Sequence, residues 1–145
     1  MSISTTEVLL VDDEKDFVET LAKRLRTRNF TVDYTLSGDE AVKWLEKNRA
    51  DVVVLDVRMP GMDGIDTLRE VKRMKPLVEV IMLTGHATVE TAIEGMKLGA
   101  YDYLMKPTDM NDLVDKIKKA EARKREQEER IRQAEINKIV RSRGW

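Results

Sequence analysis

The 145-residue sequence predicts a doubly wound α/β domain, and three observations carry that expectation. Short apolar runs without polar alternation recur at Val8 to Val11, Val52 to Leu55 and Val80 to Leu83. Strands buried on both faces of a parallel sheet have this pattern. Helically spaced apolar residues separate the runs, and polar residues follow each of them, at the strand ends where such sheets place their ligand crevice.

In chain order, Val8 to Val11 forms the first strand, and Phe17, Val18, Leu21, Ala22 and Leu25 share one face of a helix that ends near Asn29. Thr31 to Thr35, with Val32 and Tyr34 alternating against polar neighbours, reads as a less buried edge strand. Ala41, Trp44 and Leu45 mark the second helix, with Ser37 as its N-cap. After the strand Val52 to Leu55, a third helix carries Ile65, Leu68 and Val71 and stops before Pro76. The strand Val80 to Leu83 leads into a fourth helix marked by Val89, Ala92, Ile93 and Met96 and closed by Gly99. Tyr101 to Leu104 is the last strand, and Leu113, Val114, Ile117 and Ala120 open a fifth helix capped by Thr108 or Asp109.

Composition narrows the function classes. Hydrophobic residues make up 41% and charged residues 37%, the balance of a globular domain with a heavily charged surface. A length of 145 residues suits one domain. The net charge of -1 argues against whole-protein attraction to nucleic acid or acidic lipid. With no cysteine, disulfide frameworks and thiolate metal sites are excluded, as fits a cytoplasmic protein. No apolar run approaches the roughly 20 residues that span a bilayer, and the N-terminus lacks a signal peptide's pattern. A catalytic triad or zinc site is excluded by shortage of ligands, since His86 is the single histidine.

The strand ends form one constellation. Asp12 and Asp13 follow the first strand, Asp56 the third, Thr84 the fourth and Lys106 the fifth. Two carboxylates about 4 Å apart repel by roughly 4 kcal/mol at an effective dielectric near 20. Three carboxylates and one ammonium leave a charge of -2, which a hard divalent cation such as Mg²⁺ neutralises with the oxygen ligands it prefers.

VDDE at 11 to 14, LDVRMPGMDG at 55 to 64, LTGHA at 83 to 87 and YLMKP at 103 to 107 resemble the receiver domains of bacterial two-component response regulators, which are similar to the chemotaxis regulator. The resemblance spans roughly residues 5 to 120 and implies a flavodoxin-like strand order 2-1-3-4-5. It implies further that Asp56 is the phosphoacceptor and that Asp13, Asp56 and the backbone carbonyl of Arg58 ligate Mg²⁺, with Asp12 acting through a coordinated water. Lys106 and Thr84 are expected at the phosphoryl oxygens, Thr84 and Tyr103 as a coupled switch, and Arg58 and His86 as modulators of water access. A cis Lys106–Pro107 bond belongs to the same pattern. The implied partners are a histidine kinase or phosphotransfer protein and a downstream protein, with the chain catalysing nothing beyond its own phosphorylation and dephosphorylation. Pro60 and Gly64 are expected to shape the loop after the phosphoacceptor.

Two other readings compete. A small Mg²⁺-dependent phosphatase with an aspartate nucleophile would want a DxD pattern, where this strand reads LDVRM. A nucleotide or flavin module would want GxGxxG or GxxxxGK[ST] after the first strand, and neither is present.

The tail differs in kind. Residues 1 to 117 carry 16 basic against 22 acidic side chains, net -6, whereas 118 to 145 carry 10 against 5, net +5. No Pro or Gly interrupts 109 to 143, which predicts one extended helix, divided here into a domain over 1 to 120 and a helical extension or linker over 121 to 145. Mixed-sign stretches such as KREQEER read as a solvated helix and argue against direct nucleic-acid binding. Ile131, Ile136, Ile139 and Val140 would leave an uncovered stripe, expected to mediate homodimerisation or docking of a partner helix.

Overall fold

The computed structural model describes residues 5–57, 63–85 and 88–144. Five parallel strands alternate with five helices: β1 (Glu7–Val11), α1 (Lys15–Arg26), β2 (Thr31–Thr35), α2 (Gly38–Lys47), β3 (Val52–Leu55), α3 (Gly64–Met74), β4 (Glu79–Thr84), α4 (Val89–Lys97), β5 (Asp102–Met105) and α5 (Met110–Ser142). The sheet order is β2-β1-β3-β4-β5, as the resemblance implied. In register, Val8 to Val11 face Val32 to Thr35 on one side and Val52 to Leu55 on the other. The carboxyl ends of β1 and β3 therefore lie side by side.

Residue chemistry explains the element ends. Ser37 caps α2 by accepting from the Glu40 amide, as predicted. Asp63 caps α3 through the Asp66 amide, and Asp109, rather than Thr108, caps α5 through Asn111. Asn29 follows α1 with a φ of 68°, and Gly99 closes α4 with a φ of 103°, a conformation that costs glycine little.

Two apolar layers sandwich the sheet. One joins Val8, Leu10, Val54, Ile81 and Leu83 to α1 and to Leu113, Val114, Ile117 and Ala120 of α5. The other joins Leu9, Val53, Leu55 and Met82 to α2 and α3. Alternate residues of each strand thus go to opposite faces, as strands covered on both sides require.

Two features of the helices go beyond the sequence reading. The apolar stripe of α4 faces outward: Val89, Ile93 and Met96 are 76%, 50% and 46% exposed. Gly95 is the residue this helix buries, and a Cβ built there would stand 2.1 Å from Met82 Cε. α4 therefore seats on β4 by its smallest residue, a close approach that periodicity alone does not reveal. α5 continues unbroken to Ser142, but burial does not stop at Ala120, since Glu121 and Lys124 are also buried. Ile131, Ile136, Ile139 and Val140 are exposed as expected.

Candidate functional site

The carboxyl ends of β1, β3, β4 and β5 converge. Asp12 and Asp13 continue β1, and the Asp12 amide donates to Thr35 O of the β2 end. The Asp56 amide donates to Val11 O at 2.9 Å, which pins the β3 exit against the β1 exit. Asp12 and Asp56 are each 4% exposed, whereas Asp13 is exposed. Thr84 ends β4 fully buried, and its carbonyl accepts from the Lys106 amide at 2.9 Å. The bond between Lys106 and Pro107 is cis.

Gly64, at the start of α3, packs its backbone against the exit of β3. Its amide donates to Val57 O at 2.8 Å, and a Cβ there would lie 2.3 Å from Asp56 O and from Val57 Cα. No side chain fits without moving the backbone that carries Asp56. Pro60, expected with Gly64 to shape the loop after Asp56, lies outside the described residues.

Among the described residues, Lys106 is the cation paired with these acids. Lys106 Nζ lies 2.6 Å from Asp12 Oδ2, 3.2 Å from Glu14 Oε1 and 3.7 Å from Asp56 Oδ2. The Glu14 amide donates to Asp12 Oδ1 at 2.9 Å. Burial pushes the Asp12 carboxyl above its ordinary value, and the charge of Asp56 adds to this, outweighing the hydrogen bonds from Lys106 and the Glu14 amide. Burial pulls the Lys106 ammonium down, but the hydrogen bond and charge of Asp12, with Asp56 and Glu14, raise it above an ordinary lysine. Burial thus holds the proton on Asp12, and the neighbouring acids hold it on Lys106.

The excess negative charge defines what the site suits. One oxygen each from Asp12, Asp13 and Asp56 lies within 4.8 Å of the others, an all-oxygen donor set fitted to a hard divalent cation. The remaining expected residues are less central. Tyr103 lies on β5, partly buried, with its hydroxyl 3.2 Å from Met105 Sδ. Arg58 and His86 lie outside the described residues.

Two neighbours were not singled out from sequence. Glu14 reaches Lys106 as described, and the Phe17 ring lies under it, with the ring centroid 4.2 Å from Nζ. Glu14 adjoins the acid pair and Phe17 sits in the first turn of α1, so their nearness to the β1 exit was the available signal.

A flavodoxin-like sheet with an acid cluster at its carboxyl edge and a lysine opposite defines a class of phosphoryl-handling signalling domains. The chain belongs to the response regulator receiver domain family, which matches residues 8–118, and phosphorylation-dependent signalling is the function of that family. It is 39% identical over 120 residues to the transcriptional regulatory protein ZraR of Salmonella typhimurium, an alignment covering 83% of this chain and 27% of that protein. The chain thus spans about a quarter of that curated relative's length. A response regulator receiver domain from Clostridium thermocellum superimposes with a TM-score of 0.78 at 37% identity, covering 83% of this chain and 97% of that one. A chemotaxis-regulator-like receiver domain from Methanospirillum hungatei superimposes with a TM-score of 0.82 at 26% identity, covering 86% and 99%.

Proposed function

We propose that the chain is a phosphorylation switch in which Asp56 accepts one phosphoryl group from the phosphohistidine of a histidine kinase or phosphotransfer protein. The observation that carries this reading is the buried Asp56 carboxylate, with the oxygens of Asp12 and Asp13 within 4.8 Å and the Lys106 ammonium at 3.7 Å. In the proposed step an Asp56 oxygen attacks phosphorus, the bond from phosphorus to the donor imidazole breaks, and the product is an acyl phosphate on Asp56. Phosphoryl transfer of this kind asks the protein for positioning and charge neutralisation more than covalent chemistry.

Asp12, Asp13 and Asp56 would hold Mg²⁺, together with the backbone carbonyl of Arg58, and Asp12 would act mainly through a bound water. Bound there, the ion supplies positive charge against the acids and the incoming phosphoryl oxygens. Lys106 serves as a point charge for one phosphoryl oxygen, and the Thr84 hydroxyl donates to another. Movement of Thr84 and inward rotation of Tyr103 form the switch, two packings whose balance the phosphoryl group biases. Arg58 and His86 tune the access of water. The chain catalyses only its own phosphorylation and dephosphorylation and acts in the cytoplasm.

The proposed division is a receiver over 1 to 120 and a helical linker over 121 to 145, whose first turn still seats Glu121 and Lys124 under the sheet. The exposed Ile131, Ile136, Ile139 and Val140 would then serve self-association or docking of a downstream protein. The mixed charges of the linker do not form a nucleic-acid surface. Transcriptional control, named for the relative ZraR, would be exerted through such a partner or output. Among the described residues no helix is long and apolar enough to cross a membrane, so no membrane role is proposed.

Acetyl phosphate with Mg²⁺ should add one phosphoryl group per chain, read by intact-mass spectrometry, and Asp56→Asn should add none. Uptake by Asp56→Asn would overturn the acceptor assignment. Sedimentation of the full chain against a form ending at Ala120, with and without phosphorylation, tests the linker: association should require residues beyond 120, and four monomeric samples would remove self-association.

A further inference from the structure

We propose that Phe17 is a positioning residue for Lys106, its ring face fixing where the ammonium stands and so setting how fast Asp56 takes up a phosphoryl group. The inference rests on the reading of Asp56 as acceptor. Lys106 sits at the end of a long flexible stem, and its side chain is 14% exposed, so the ammonium is fixed by what surrounds it rather than by its own rotamers. Three carboxylates pull it in different directions: Asp12 and Asp56 inward, and Glu14, whose side chain is 64% exposed, outward. The Phe17 ring is a partner of another kind.

A carboxylate that binds the ammonium also cancels its charge and repels an approaching phosphoryl group. An aromatic face attracts the cation through its quadrupole and carries no net charge, so it holds the ammonium without spending the charge that the phosphoryl oxygens need. The centroid distance of 4.2 Å is well inside the range of such contacts. The support is firm, because Phe17 packs against the core layer of Val18, Leu21 and Val54 and borders the same small void as Asp12 and Asp56. α1 thus delivers a core-anchored ring beneath Lys106, three residues after the Glu14 carboxylate that draws that lysine outward.

The test is a double-mutant cycle on the full chain with acetyl phosphate and Mg²⁺, reading initial phosphorylation rates by intact mass. Phe17→Leu keeps apolar bulk and removes the ring face, and it should slow uptake about five- to tenfold. Phe17→Tyr keeps the face and should stay within about twofold of the parent. In a Lys106→Met background, Phe17→Leu should change the rate no further, since the ring then has no cation to hold. An unchanged rate in Phe17→Leu, or an equal slowing in both backgrounds, would overturn the proposal in favour of plain packing. A second readout does not depend on how the leucine variant folds: the ring should shift the Lys106 Hε resonances of the parent protein upfield, and unshifted resonances would also overturn it. Failure of the underlying reading is distinguishable, because Asp56→Asn would then keep its uptake while the ring-current shift persisted.

Discussion

The two ends of the sheet each bury acids beside a lysine, and they balance charge differently. At the carboxyl end Asp12, Asp13, Asp56 and Glu14 face Lys106 alone among the described cations that pair there. At the amino end Asp51, just before β3, accepts from the Glu7 amide at 2.8 Å and from Lys124 Nζ at 3.2 Å, with Arg49 at 3.8 Å. Glu79, at the start of β4, meets Lys72 at 3.8 Å and Arg123 at 3.7 Å. Lys72 in turn donates to the carbonyls of Pro76 and Val78, and its pKa lies below an ordinary lysine because burial outweighs the charge of Glu79. Among the described residues, cations match or outnumber acids at the amino end, and acids outnumber them at the carboxyl end. Among these residues the cations at the amino end offset its acids, whereas the carboxyl end keeps an excess of negative charge that a bound cation would offset. Burial of charge therefore marks function when its sum is wrong.

The largest effect that could break this comparison is on stability. Lys124 is buried on α5 with Asp51 as its inner partner, and removing one member of a buried pair leaves an uncompensated charge. Asp51→Ala should therefore lower the unfolding free energy by about 3–5 kcal/mol, also leaving the Glu7 amide without its acceptor. Asp51→Ala combined with Lys124→Met should cost less than the sum of the single changes. At the other end Asp13→Ala, at an exposed position, should stay within about 0.5 kcal/mol without metal. Urea titration of the four variants measures this. Equal losses for Asp51→Ala and Asp13→Ala would mean that the two ends are not different in kind.

Sequence exposed the carboxyl end far better than the amino end. Asp12, Asp56, Thr84 and Lys106 each follow a recognisable apolar run, so their convergence follows from strand order alone. Asp51 and Glu79 precede or begin such runs, where a carboxylate reads as an ordinary solvated residue. Lys124 was hidden for a related reason: it continues the face of Leu113, Ile117 and Ala120, but a lysine on an apolar face registers as the end of burial until its partner is known. The outward direction of the α4 stripe was not legible, because apolar periodicity gives a face without its direction. Gly95, whose close approach to Met82 sets that direction, contributes nothing to an apolar pattern.

A smaller effect sharpens the comparison at the carboxyl end. Burial, aided by the charge of Asp56, raises the Asp12 carboxyl above its ordinary value, so the folded state favours the protonated form. For a group shifted upward, the favourable contribution is complete below the unfolded value and is lost as pH rises through the folded value. At neutral pH without metal the ionised Asp12 therefore costs stability, contrary to the usual behaviour of a carboxylate next to a lysine. Asp12→Asn keeps the shape of the side chain and an oxygen for the Glu14 amide, and removes the charge. It should unfold at a higher temperature than the parent near pH 7, and the gap should close as pH falls toward the ordinary carboxylate range of about 4. Mg²⁺ should stabilise the parent more than the variant, narrowing or reversing the neutral-pH gap. Thermal midpoints of both proteins across this range, each with and without Mg²⁺, provide the measurement. A variant less stable than the parent at neutral pH without metal would show that the Lys106 pair outweighs the burial of Asp12, leaving the carboxyl end as self-sufficient as the amino end.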